Sequence, residues 1–271
     1  MLAGGWLLLA DGSYSSARPA AQGARRTGAA AVMAGRYSPL MRTVAVVLAA
    51  GSGQRFGGAV PKQLRTLAGR TLIEHSVAAF ESAPGIDAIL VVTTPGLAGQ
   101  VRALVMNGRY RKVTGVIDGG VTRTDSTRRA IAALGADECD VLFHDAARPL
   151  IDQQTIAGCI RALATDLAVG VTVPSSDTIV EARDGVLTGM PRRDLLLRCQ
   201  TPQGFRLSVI SRAHRLAEAD PGFTTSASTD DCGVVLRYLP EVAVRAVPGS
   251  ERNMKITYPS DLDLAEALLR G

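Results

Sequence analysis

The chain has 271 residues, 46% of them hydrophobic and 20% charged, enough for one large α/β domain with a sizeable core. This composition excludes a disordered chain, and no apolar run reaches membrane-spanning length. The formal charge of +5 is partly a property of residues 1–40: the rest holds 26 basic against 24 acidic residues, with no basic run carrying interleaved aromatics, so nucleic acid is not an expected partner.

Cys139, Cys159, Cys199 and Cys232 are widely spaced with no CxxC, which argues against a disulfide framework or a thiolate metal site and for a reducing, cytoplasmic setting. Residues 1–40 are rich in Ala, Gly, Ser and Arg and make a poor signal peptide. They are expected to be a disordered extension, or an over-long start with Met33 or Met41 as the true initiator. Residues 41–271 are then a single domain.

From Val44 the chain reads VAVVLAAGSGQRFGGAVPKQ, to Gln63. The β-branched run Val44 to Leu48 suits a strand buried on both faces. It gives way to Ala49, Ala50, Gly51 and Gly53, where small residues let the backbone approach a ligand closely. Arg55 and Lys62 follow, the lysine presented by Pro61, whose ring fixes φ. A buried strand ending in a small-residue loop with cations is a phosphate-handling design, the backbone N–H groups holding the anion. The glycine spacing is GxGxxxG, not the dinucleotide fingerprint, and no Gly-Lys-Ser/Thr of a P-loop is present. A bare glycine turn with a stray arginine is the bland alternative.

Beyond it, strand and helix signals alternate. Leu72, Ile73, Ser76, Val77 and Phe80 fall at helical spacing. Residues 88–92 read as a second buried strand, 95–106 as a helix, and 113–117 as a short strand leading into Gly119 and Gly120. Paired glycines directly after a strand are where open α/β sheets bind ligands. With Ser126 they are expected to line a nucleotide pocket, although N-capping by Thr122 or Thr124 would also explain the segment. Val141 to Pro149, VLFHDAARP, is an apolar strand delivering Asp145 at its tip, followed by Ala146 and Arg148. A carboxylate there is a candidate Mg²⁺ ligand, since Mg²⁺ takes one or two carboxylates plus phosphate oxygens and water. An N-cap or a structural Asp–Arg pair is the alternative.

Residues 153–166 read as a helix and 168–173 as a strand. Asp184-Gly185 between short β-like runs signals a hairpin. Thr201 to Phe205 reads as a rigid turn before a helix over 207–219. Thr229 and Asp230 precede another helical run, residues 242–247 read as a strand, and Lys255 lies in a strand-like stretch flanked by Met254 and Ile256. A capped helix closes the chain. The alternation implies one α/β domain with a Rossmann-like, largely parallel sheet and a small β-arm over about 175–200.

Three motifs, LAAGSGQRFG…PKQ, HDAARP and NMKIT, stand in the order found in one family. The first resembles the signature loop of the sugar-nucleotide and alditol-nucleotide pyrophosphorylases. Together they resemble the 2-C-methyl-D-erythritol 4-phosphate cytidylyltransferases over residues 43–270. The resemblance implies transfer of a cytidylyl group from CTP to 2-C-methyl-D-erythritol 4-phosphate, with Mg²⁺ as cofactor. It implies Arg55, Lys62 and Lys255 as catalytic cations. It implies nucleotide contacts from Ala49, Ala50, Gly51, Gly53, Gly119, Gly120, Ser126 and Ala146, Arg123 also matching. Acceptor contacts would come from Asp145, Arg148, Asp177, Thr178, Arg193, Thr201 and Thr229, with Asp145 as metal ligand and Asp230 in support. Counting back from Gln200 to Gln203 selects Arg193 over Arg192. Val180 departs from the family, which usually has lysine there, and this touches a peripheral contact. The arm is implied to swap across a homodimer, some of its residues reaching the neighbouring subunit. A ribitol 5-phosphate cytidylyltransferase would share the nucleotide half of these motifs. A non-catalytic nucleotide sensor would be expected to lose a phosphate cation, and all three are present.

Overall fold

The structure, a computed structural model, describes residues 41–270 apart from 52, 54, 58, 59 and 224–229, together with Leu7–Leu8 and Tyr14–Ser15. Leu7–Leu8 and Tyr14–Ser15 pair antiparallel in a separate N-terminal unit. The expectation for residues 1–40 otherwise lies outside the described residues.

The main unit opens with β1 (Thr43–Ala49), buried at all seven positions. There follow α1 (Leu72–Glu81), β2 (Ala88–Thr93), α2 (Ala98–Val105), β3 (Val113–Asp118), α3 (Arg123–Leu134), β4 (Asp140–Asp145), α4 (Gln153–Leu163) and β5 (Ala168–Pro174). The hairpin β6 (Glu181–Arg183) and β7 (Val186–Gly189) precedes β8 (Leu197–Arg206), α5 (Leu207–Ala219), α6 (Asp231–Tyr238), β9 (Val244–Pro248) and α7 (Ser260–Arg270). Seven strands form one sheet in the order β9-β5-β8-β4-β1-β2-β3. All pairings are parallel except those of β8, which runs antiparallel to both β4 and β5.

Alternation along β1 explains the layers. Ala45 and Val47 pack with Ile73, Val77, Phe80 and Ile156 from α1 and α4. Val44, Val46 and Leu48 pack on the other face with Phe205, Ile210 and Val235, near α5 and α6. A strand covered on both faces must be apolar at every position, which is why its sequence is a continuous run. Strand order runs outward from β1 to β3 and resumes on the other side of β1 with β4. That reversal opens a crevice beyond the carboxyl ends of β1 and β4, the place where open α/β sheets bind ligands.

Local chemistry sets the helix starts. Thr71 caps α1 and Thr122 caps α3, each in a capping box closed by Glu74 or Asp125 three residues on. Thr122, not Thr124, is thus the cap. Asp152 caps α4, its side chain accepting from the Thr155 N–H at 2.7 Å. The hairpin turn is as expected: Asp184 and Gly185 both have positive φ, 51° and 80°.

Four expectations need correction. α2 starts at Ala98, three residues after Pro95, and α4 stops at Leu163. Thr201 to Phe205 is not a turn but the middle of β8, buried at every position. Pro202 is tolerated because the β8–β5 register slips between Cys199 and Gln203, so no ladder N–H is required of it. Lys255 lies on an irregular loop, not a strand. The loop is pinned by Asn253, fully buried, whose amide donates to the Thr201 carbonyl at 2.8 Å and to Gln200 Oε1 at 3.1 Å.

Candidate active site

The crevice between β1 and β4 is lined by the loop after β1, the start of α3, the tip of β4 and the loop carrying Lys255. Ala49, Ala50, Gly51, Ser126, Ala146 and Asp145 all line it, as do Lys62, Arg123 and Lys255.

Asp145 is its centre. It ends β4, 8% exposed, and its backbone N–H donates to Thr201 Oγ1 at 3.1 Å. Its Oδ1 accepts from Arg123 Nε at 3.2 Å and its Oδ2 from Lys255 Nζ at 2.7 Å. Burial alone would raise its pKa; Arg123 and Lys255 outweigh burial and hold the carboxyl well below its usual range. Arg123 is itself held above its ordinary value: burial opposes the charge, and Asp231 and then Asp145 overcome it.

Lys62 follows Pro61 on a short turn of 3₁₀ helix, and its Nζ donates to the Ile256 carbonyl at 2.9 Å. It therefore shares the Lys255 loop. Its pKa is lowered, first by burial and next by Lys255, with Arg55 adding and Asp145 opposing. Excess positive charge around one carboxylate means that a bound polyanion relieves repulsion already present.

His144 precedes Asp145 and is fully buried. Thr201 Oγ1 accepts from Asp145, so its own proton is free for His144 Nδ1 at 3.1 Å, and His144 Nε2 donates to the Arg148 carbonyl at 3.0 Å. Burial pushes the imidazole down to about 4, which leaves it neutral and structural.

The glycine pair acts by shape. A Cβ at Gly119 would lie 2.3 Å from the Ala50 Cβ, and one at Gly120 would lie 2.1 Å from the Asp125 Cβ. Neither glycine lines the crevice; they let the β3–α3 turn close against the β1 loop. Ser126 holds that turn, accepting from the Gly120 N–H at 3.1 Å and donating to the Thr122 carbonyl at 3.0 Å. Gly53, at φ 62°, accepts from the Phe56 N–H at 2.8 Å and does not line the crevice. Phe56 is buried with Leu67, Leu72 and Ile256, which tacks the loop to the domain. Arg55 beside it is exposed and reaches Lys62 through its charge.

Other expected residues are placed elsewhere. Arg148 spends its guanidinium on backbone, donating to the Asn253 carbonyl at 2.8 Å and to Cys199 O at 3.5 Å. Asp177, Thr178 and Arg193 lie on the exposed arm and do not line this crevice. Arg193 Nε donates to the Ser175 carbonyl at 3.1 Å. Thr229 lies outside the described residues, and Asp230 caps α6, accepting from the Gly233 N–H at 2.8 Å. Gln63, Val121, Thr122 and Ala147 also line the crevice and were not singled out as site residues from sequence. Among the described residues no group of three or more His, Cys, Asp or Glu could hold a metal ion, and no helix is long and apolar enough to cross a membrane.

A family model described as 2-C-methyl-D-erythritol 4-phosphate cytidylyltransferase (IspD) matches residues 43–271. The chain is 50% identical over 236 residues to the protein of that name from Thermobifida fusca, covering 84% of this chain and 94% of the relative. It is 35% identical over 236 residues to the bifunctional ribulose 5-phosphate reductase/CDP-ribitol pyrophosphorylase of Haemophilus influenzae, covering 85% of this chain and 48% of the relative. The solved structure of 4-diphosphocytidyl-2C-methyl-D-erythritol synthase from Anaerococcus prevotii matches with a TM-score of 0.74 at 26% identity, covering 85% of this chain and 99% of that one. The family match spans every strand of the seven-stranded sheet and every residue of the cationic crevice: this chain belongs to the 2-C-methyl-D-erythritol 4-phosphate cytidylyltransferases, enzymes that join CTP and 2-C-methyl-D-erythritol 4-phosphate into 4-diphosphocytidyl-2-C-methyl-D-erythritol.

Proposed function

We propose that the crevice between β1 and β4 is where the cytidylyl group changes hands. The observation that carries this is the convergence of Lys62, Lys255 and Arg123 on one ionised carboxylate, Asp145, with the small-residue loop Ala49 to Gly51 beside them. The acceptor phosphate is already an anionic nucleophile at neutral pH. One of its oxygens attacks the α-phosphorus of CTP, the bond from that phosphorus to the bridging oxygen breaks, and pyrophosphate leaves with the bonding pair. No proton has to be moved, so catalysis is positioning plus charge stabilisation. Lys62 and Arg55 neutralise charge at the α-phosphate and the departing pyrophosphate, and Lys255 adds to this at the α-phosphate. Ala49, Ala50, Gly51 and Ala146 leave room for the nucleotide, and Ser126 with Gly119 and Gly120 shapes its pocket.

Mg²⁺ fits this donor set in one way. Asp145 is held ionised, and among the described residues each of its oxygens accepts a single hydrogen bond, which leaves a lone pair on each. It would hold the ion together with phosphate oxygens and water. The bound ion supplies charge neutralisation at the phosphates.

Acceptor contacts from Asp177, Thr178 and Arg193 belong to the arm, and Arg148, Thr201 and Thr229 would complete them. Since these arm residues do not line the crevice of their own chain, we assign them to a partner's site in a homodimer, which the exposed apolar residues of the arm favour.

The test is pyrophosphate release by Lys62→Ala. Its kcat is expected to fall about 10²–10³-fold, the usual effect of deleting one group that stabilises transition-state charge, with a smaller change in KM. An unchanged kcat would remove Lys62 from this role. The relative bearing a CDP-ribitol activity makes ribitol 5-phosphate the acceptor to run beside methylerythritol phosphate. Release is expected with methylerythritol phosphate alone.

A further inference from the structure

We propose that Asp231 is a positioning residue of this site: it holds Arg123 so that Asp145 is divided between Arg123 and Lys255. The proposal rests on the crevice being the transfer site.

Asp231 is the first residue of α6, 1% exposed, and lies 108 residues from Arg123 in the chain. Its Oδ2 accepts from Arg123 Nη1 at 2.7 Å, and its Oδ1 lies 3.4 Å from Nε2 of buried His214. The backbone leaves it little freedom. Gln203 Oε1 accepts from the N–H groups of Asp231 at 3.0 Å and Cys232 at 3.2 Å, while Gln203 Nε2 donates to Asp230 Oδ2 at 2.9 Å. The start of α6 is thereby clamped to β8.

Arg123 spends separate faces of its planar fork on two carboxylates: Nε on Asp145 and Nη1 on Asp231. Lys255 Nζ takes the other oxygen of Asp145. Remove the charge of Asp231, and Arg123 is left with one carboxylate, on which its fork can close bidentately. Lys255 then loses its share of Asp145 and, with it, its fixed place beside Lys62. Asp231 thus acts on the reaction through Arg123 and touches no substrate itself.

The test is steady-state kinetics of Asp231→Asn with CTP and methylerythritol phosphate varied in turn, beside Arg123→Gln, the double variant, Lys62→Ala and the thermal midpoint of each. We expect kcat to fall about 10–100-fold in Asp231→Asn, the usual cost of losing a residue that orients a site group, with each KM within about threefold. The double variant should be no slower than Arg123→Gln alone, because a residue acting through Arg123 is silent once its guanidinium is gone. Wild-type kcat in Asp231→Asn would overturn the proposal. So would a loss that multiplies in full with that of Arg123→Gln, or one explained by unfolding at the assay temperature. Lys62→Ala separates the two readings. If it is inactive while Asp231→Asn is normal, the crevice stands and this inference fails. If it is fully active, the crevice reading itself fails.

Discussion

His144 and Asp140 sit on the same buried strand and respond to acid in opposite senses. Burial pushes His144 down to about 4, and pushes Asp140 up to about 6 against the opposing charge of Arg206. As pH falls from about 6.5 towards 4, the unfolded chain protonates His144 and the native chain does not, so stability is lost, on the order of 3 kcal/mol in all. Over pH 6 to about 4 the native chain takes a proton on Asp140 that the unfolded chain does not yet hold, so stability is gained. The two partly cancel. Asp140→Asn removes the gain and keeps the loss. Its urea midpoint is therefore expected to fall more steeply than that of the unmodified chain between pH 6 and 4. Parallel slopes would mean that Asp140 is not held protonated by burial.

At the level of elements, the β3–α3 turn and α2 give glycine two meanings. Gly119→Ala drives a methyl to within 2.3 Å of Ala50 Cβ and 2.8 Å of Ser126 Oγ, so the turn must back away from the β1 loop. The expected cost is about 1–3 kcal/mol of stability, with a raised KM for CTP. Gly99 lies exposed within α2, and a methyl added there would meet no atom within 4 Å, so Gly99→Ala is expected to stabilise by about 0.5–1 kcal/mol. Paired thermal or urea melts of the two variants check both signs. The contrast also explains what was legible in the sequence. Strands buried on both faces and helices with apolar residues at helical spacing announce themselves locally, and so did the loop from Ala49 to Lys62 and the tip at Asp145. β8 did not, because Pro202 in Gln200–Gln203 reads as a turn until the register slip beside it is known. The joining of Asp231 to Arg123, and of Asp145 to Lys255 across 110 residues, leaves no periodic trace, since it exists only once α6 and the Lys255 loop have packed. Asn253, which anchors that loop from a fully buried position, was visible only as one letter of a motif.

The arm poses a question of the whole molecule. Leu195, Met190, Leu187 and Val186, all on the arm, are 72%, 69%, 65% and 64% exposed. Apolar side chains gathered in this way mark a surface that another protein covers. The occupant proposed above, a second copy of this chain, rests on two observations. The arm carries Asp177, Thr178 and Arg193, which the family resemblance assigns to the acceptor phosphate, and none of them lines the crevice of its own chain. On that proposal, the crevice lined by Lys62, Arg123 and Lys255 would be complete only when a partner's arm lies over it. Leu195→Asp puts a charge on that apolar surface without touching Lys62, Asp145 or Lys255. It is expected to sediment as a monomer and to lose most of its transfer activity, while CTP binding persists. In the unmodified chain, specific activity should fall on dilution as the dimer dissociates, and sedimentation velocity over the same concentrations should show the same midpoint. A fully active monomer would mean that each crevice works alone and that the arm residues serve a different purpose.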